Sequence, residues 1–180
     1  MKLTTLGCWG AYPYKDGGTT SYLVTSEDGF QLLMDCGSRA VTELEKEISP
    51  LDLDAVIISH YHPDHVADLG VLRHYFQLYP KHLWEPKILP IYGHTEDEQE
   101  FAKLTLDGVS QGKAYDVNGV EKVGPFDITF IKTVHPVPCY AFRIVERATG
   151  QTLVFTGDTG YFEGLDKFAA GADLFLADVY

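Results

Sequence analysis

Apolar and polar positions run in short strand-like bursts through the first part of the chain. Lys2–Gly7, Ser21–Ser26 and Phe30–Asp35 carry such patterns, the last two joined by Glu27-Asp28-Gly29, whose Asp-Gly pair favours a tight hairpin turn. Pro13-Tyr14-Lys15-Asp16-Gly17-Gly18 is a loop by composition. Ala40–Ile48 reads as a helix with Val41, Leu44 and Ile48 on one face, closed by Ser49-Pro50. The unbroken apolar run Ala55-Val56-Ile57-Ile58-Ser59 predicts a buried strand. From Asp64 to about Gln77, Val66, Leu69, Leu72 and Phe76 have helical spacing. Further on, Ile88–Tyr92 predicts a strand and Glu96–Leu106 a helix. Strands follow at Phe126–Thr133, Tyr140–Val145 and Thr152–Thr156, with a hairpin turn at Thr149-Gly150-Gln151, then a short helix at Glu163–Phe168 and a last strand at Leu174–Ala177. Strand clusters interspersed with helices imply layers, with helices covering mixed β-sheets.

Composition narrows the class. A chain of 180 residues fits one domain, 1–180, and 45% hydrophobic with 22% charged residues is ordinary for a soluble globular protein. A formal charge of −12, with the basic residues scattered singly, makes long nucleic acid a poor partner and leaves room for a small anionic substrate held by metal. Cys8, Cys36 and Cys139 form no CxxC pair and are odd in number, which suits a reducing cytoplasm; Cys36 and Cys139 read as core filler. No stretch approaches the roughly 20 apolar residues that span a bilayer, and the N-terminus lacks a signal-peptide pattern.

The chemistry concentrates in His60-Tyr61-His62-Pro63-Asp64-His65. Side chains alternate along an extended segment, so His60 and His62 emerge on the same side at the end of the buried strand. Pro63 suits the first turn of a helix, which puts Asp64 and His65 at a helix start aimed back at the pocket the two histidines face. Three imidazoles and a carboxylate so close suit zinc, manganese or iron. Further ligands should come from other strand ends. His135 follows the apolar run Ile128–Val134 and precedes Pro136, while Asp158 follows Leu153–Gly157, where Gly157 and Gly160 permit close backbone approach. A carboxylate in that position can bridge two cations. His74, His82 and His94 are assigned surface or loop positions.

The pattern HxHxDH, the later His135, the stretch Thr156-Gly157-Asp158-Thr159 and the approach Asp52–Ser59 together resemble the metallo-β-lactamase superfamily across essentially the whole chain. The resemblance implies an α+β fold, a four-layer αββα sandwich with two mixed sheets and a two-metal site along one edge. It further implies that His60, His62 and His135 hold one divalent ion, Asp64 and His65 the second, and Asp158 both. Asp35 matches an acidic position that in the family orients a ligand histidine. The ions would be zinc, with manganese or iron as alternatives. Members usually supply one more histidine near the C-terminus, yet none follows Asp158 here. The sequence therefore reads as C-terminally incomplete, with solvent, a partner chain or Asp178 as other ways to complete the second site. The family often dimerises; no hydrophobic stripe enforces a homodimer here.

The segment His135–Ile144, the opening Leu6–Pro13 and Pro90-Ile91-Tyr92-Gly93 are similar to the branch containing ribonuclease Z and related phosphodiesterases. That enzyme's tRNA-grasping arm lies between the motif histidine and the bridging aspartate, an interval of only 158 − 135 = 23 positions here. The expected activity is thus hydrolysis of a small phosphodiester by a metal-activated hydroxide, with Asp64 also relaying a proton. Ester, thioester or lactone hydrolysis of the glyoxalase II or lactonase type is the alternative. From other classes come mono-iron sulfur dioxygenase chemistry and a purely structural metal, the latter disfavoured because structural zinc is normally closed by four protein ligands, often thiolates.

Overall fold

Twelve strands are found among residues 1–79 and 87–178, which the computed structural model describes; His82 lies outside them. Strands β1 (Lys2–Trp9), β2 (Gly18–Thr19), β3 (Ser21–Thr25), β4 (Gln31–Met34), β5 (Ala55–Ile57), β6 (Leu89–Gly93) and β7 (Ser110–Ala114) form a seven-stranded sheet in the order β2-β1-β3-β4-β5-β6-β7. Strands β8 (Glu121–Val123), β9 (Phe126–Lys132), β10 (Tyr140–Glu146), β11 (Thr152–Phe155) and β12 (Leu174–Leu176) form a five-stranded sheet in the order β12-β11-β10-β9-β8. Both sheets are mixed: β3–β4 and β10–β11 are antiparallel hairpins, whereas β4–β5–β6–β7 and β11–β12 are parallel. The hairpin turns expected at Asp28-Gly29 and Thr149-Gly150 are present, with both glycines in the left-handed region at φ 91° and 72°.

Alternation along β4 separates two cores. Leu32 and Met34 face inward with Ile57 against Phe126, Phe142 and Ile144 of the second sheet. Leu33 faces outward with Val56 against Val41 and Leu44 of α1 (Ala40–Leu44) and Leu72 and Phe76 of α3 (Leu69–Leu78). On the far side, Arg143 of β10 donates to the Phe168 carbonyl of α5 (Leu165–Ala169) at 2.9 Å. Helix, sheet, sheet, helix is the four-layer α+β sandwich anticipated from the sequence.

Local departures have physical causes. The single helix expected from Asp64 to Gln77 is two: α2 (Pro63–Val66) and α3, broken at Ala67–Asp68. The His65 carbonyl is taken by Cys36 N–H at 2.7 Å, and Asp68 N–H turns to the Cys36 carbonyl at 3.1 Å, so the regular ladder is interrupted by a tertiary contact. The Ala40–Ile48 helix is regular only to Leu44, continuing to Ile48 as hydrogen-bonded turns. The Glu96–Leu106 helix shrinks to α4 (Glu98–Ala102), capped by Asp97 accepting from Glu100 N–H at 3.0 Å. Strand β7 had no apolar signal because it is an edge strand, largely solvent-facing. Cys36 and Cys139 are fully buried, as expected of core filler.

Candidate metal centre

The parallel strands β4, β5 and β6 end at the same edge of their sheet, the place where open α/β sheets present loops to ligands. They deliver Asp35, the run Ser59–His62 and His94. From the facing sheet, the connections after β9 and β11 bring His135 and Asp158 to the same edge. His62 is extended, at φ −64° and ψ 148°, and precedes Pro63 at the first turn of α2.

The structure gathers His60, His62, Asp64, His65, His135 and Asp158. His62 Nδ1 lies 3.1 Å from His60 Nε2 and 3.0 Å from His135 Nε2. Asp158 Oδ2 stands 3.8 Å from His60 Nε2 and 4.0 Å from His135 Nε2. Its other oxygen, Oδ1, lies 3.0 Å from His65 Nε2, which is also 3.6 Å from Asp64 Oδ2. Two donor sets result, His60–His62–His135–Asp158 and Asp64–His65–Asp158, each with its atoms within 4.8 Å of one another. Asp158 belongs to both. Ligands 2.0–2.1 Å from a tetrahedral ion are about 3.3 Å apart, close to the imidazole separations seen. His65 Nε2 is buried and makes no hydrogen bond of acceptable geometry despite its short approach to Asp158. An orphaned buried nitrogen facing carboxylates, beside three imidazoles converging edge to edge, fits a divalent ion.

Beneath the donors lies a buried relay. Asp35 accepts Ser59 N–H on Oδ1 at 2.7 Å, and on Oδ2 accepts both Ser59 Oγ–H and His65 Nδ1–H at 2.7 Å. Because Ser59 Oγ spends its proton on Asp35, it receives His60 Nδ1 at 3.1 Å as an acceptor. Both rings therefore direct Nδ1–H at an acceptor, which turns both Nε2 atoms toward the donor sets. Asp35 reaches this position only in the left-handed region, φ 55°, which is uncommon for a residue with a Cβ. Gly157, at φ 57°, leaves room for the Asp158 loop: a Cβ there would lie 3.0 Å from Cys139 Sγ and 3.2 Å from Ser59 Cβ.

Electrostatics follows from these contacts. Burial, with His65 as a neighbouring cation, drives the His60 pKa down to about 2, so it stays neutral. Burial also opposes charge on His65, but Asp35 and then Asp158 outweigh it and lift it to about 10 in the metal-free chain. Burial would raise Asp158; the close approach and charge of His65 more than offset that and hold it below the usual carboxylate range.

Three things were not foreseen. Ser59, polar at the end of an apolar run, was legible only as the residue before His60. The loop after β1 reaches the site, with Ala11 N–H donating to Asp64 Oδ2 at 2.8 Å. His94 has the loop position expected of it, just past β6, but is not at the surface: it is 2% exposed, under the rings of Tyr61 and Tyr140. Its burial follows from Gly93, since a Cβ there would collide with the Tyr61 hydroxyl, which instead donates to the His94 carbonyl at 2.7 Å. His74 is exposed, as expected. Asp178 lines the cavity beside the donors but joins neither set.

A family model described as the metallo-beta-lactamase superfamily matches residues 14–179. The chain belongs to the metallo-β-lactamase superfamily. Within it, the chain is 41% identical over 178 residues to "Probable metallo-hydrolase YhfI" of Bacillus subtilis, covering 99% of this chain and 72% of that protein. The crystal structure of YhfI superposes with a TM-score of 0.88 at 42% identity, covering 96% of this chain and 69% of that one. A ribonuclease Z from Methanopyrus kandleri is 29% identical over 140 residues, which is 77% of this chain and 48% of that protein. The short form of human tRNase Z shares the superfamily fold, with a TM-score of 0.74 at 20% identity over 97% of this chain and 76% of that one. Among the described residues, no helix is long and apolar enough to cross a membrane.

Proposed function

We propose that this chain carries the catalytic site of a divalent-metal hydrolase acting on a phosphodiester of a small molecule. The observation that carries this reading is the sharing of one carboxylate, Asp158, between two adjacent donor sets. Similarity to a probable metallo-hydrolase and to ribonuclease Z supports the reaction type. In this reading His60, His62 and His135 hold one ion, Asp64 and His65 a second, and Asp158 both, with zinc first and manganese or iron as alternatives. Bound ions would supply a water of lowered pKa and charge compensation at the phosphoryl oxygens. Asp35 orients His65 directly and His60 through Ser59. Asp64, whose Oδ2 accepts the Ala11 N–H, would also relay a proton. The three unpaired cysteines support a reducing cytoplasm as its location.

The test is a substrate panel run on metal-loaded and chelated protein with metal analysis: bis-p-nitrophenyl phosphate, lactones, glutathione thioesters, and oxygen uptake with a persulfide. Phosphodiester turnover that disappears on chelation, with two ions per chain, is expected. Turnover of lactones or thioesters alone would replace the substrate class, and oxygen uptake would replace hydrolysis with iron redox chemistry.

A further inference from the structure

Three aromatic side chains that the proposed hydrolysis does not use stand at the mouth of the cavity. Trp9, Tyr12 and Tyr14 are 46%, 69% and 48% exposed, and they line the same space of about 910 Å³ as His62, Asp64 and Asp158. Large aromatics leave water at a gain of free energy, so three exposed within six positions mark an interaction surface. They are held in place. The Trp9 and Tyr14 rings pack with centroids 5.1 Å apart. The Trp9 indole lies on Gly17, where any Cβ would collide with it. Reciprocal backbone hydrogen bonds of 3.0 and 3.3 Å close the Tyr14–Gly17 turn beneath. Ala11, at φ 60°, fastens the segment to Asp64, and the Lys15 ammonium sits 5.2 Å from the Tyr14 ring centre. Aromatic faces and a carboxylate-imidazole centre thus share one cavity. A single small molecule can meet all of them.

We propose that Trp9, Tyr12 and Tyr14 form a stacking platform for a planar heteroaromatic group, so that the substrate is a nucleotide-type phosphodiester and not an aliphatic one. This deepens the phosphodiesterase reading and rests on it for the reaction, though not for the binding. Stacking on an aromatic side chain tolerates any base because every base has a π-face, and it contributes roughly tenfold or more in affinity.

The experiment compares two substrates with one leaving group: thymidine 5′-(p-nitrophenyl phosphate) and methyl p-nitrophenyl phosphate. The ratio of their kcat/KM values is expected to exceed about ten and to fall about tenfold in Trp9→Leu, with recovery in Trp9→Phe. An unchanged ratio in both Trp9→Leu and Tyr14→Leu overturns the platform. Binding is read separately in metal-loaded Trp84→Phe protein, where Trp9 is the remaining tryptophan. Its fluorescence should be quenched by thymidine 5′-monophosphate and not by methyl phosphate; equal or absent quenching overturns the proposal without recourse to a folding-sensitive variant. Selective quenching in a protein that turns over no phosphodiester would leave the platform standing and remove the phosphodiesterase reading instead.

Discussion

The floor and the rim of the cavity are built by opposite means. At the floor, Asp35, Ser59 and His60 are fully buried and His65 nearly so, with Asp35 bonding the Ser59 N–H, the Ser59 hydroxyl and His65 Nδ1–H across strand ends. At the rim, Trp9, Tyr12 and Tyr14 are largely open to water and are held by ring packing, one turn and one hydrogen bond to Asp64. A donor that must face a small ion tolerates little positional error, so its ring is locked by buried hydrogen bonds, where an unmade bond is expensive. A surface that greets a larger planar group gains from exposure before binding. Variants should separate these regimes cleanly.

The largest effect belongs to the donors. The double variant His60→Ala, His62→Ala should lose one ion per chain by elemental analysis and all metal-dependent turnover; full activity in the metal-stripped double variant would remove the hydrolase reading. Next comes the relay. Asn tolerates the left-handed backbone of Asp35, so Asp35→Asn removes charge and an acceptor with little added strain. Metal affinity is expected to fall about 10–100-fold, read by chelator competition, while the circular dichroism spectrum is retained. Gly157→Ala forces a Cβ against Cys139 and Ser59 at positive φ and should lower stability by about 1–3 kcal/mol in a denaturant melt.

A control lies away from both regions. Glu146 is buried with the Met1 ammonium at 3.0 Å, Glu27 N–H at 2.6 Å and Thr149 Oγ at 2.6 Å. Burial pushes its carboxyl up, but these hydrogen bonds and the ammonium outweigh that and hold it below its ordinary value. A depressed carboxyl contributes stability above its unfolded pKa of about 4.3 and loses it as pH falls through the folded value. Glu146→Gln should flatten the acid limb of thermal stability and leave metal content unchanged. The smallest effect is predicted at the rim, where Tyr12→Ser should shift stability by no more than about 0.5 kcal/mol in a denaturant melt.

Much of this was legible in local sequence. The periodicities of Leu69, Leu72 and Phe76 and of the β-hairpins lie within a few neighbouring residues, and so does the geometry of His60, His62 and Asp64 around one strand end. Helix lengths were less legible, because Cys36, far away in the chain, captures the His65 carbonyl and ends α2 early. The burial of His94 was hidden for a similar reason: Tyr61 and Tyr140, which enclose it, come from other elements. Strand β7 was invisible because an edge strand needs backbone partners more than apolar side chains.

Sequence by itself determined which ligand-type side chains are available, because imidazoles and carboxylates cluster directly after an apolar run that reads as a strand. Only the tertiary structure decided how they are held. The parallel pairing of β4 with β5 brings Asp35 under Ser59 and His65, the latter 30 positions away. The packing of one sheet on the other sets Asp158 between the two donor sets. Contacts so distant along the chain leave no periodic trace, since they depend on how whole sheets register and not on neighbouring residues.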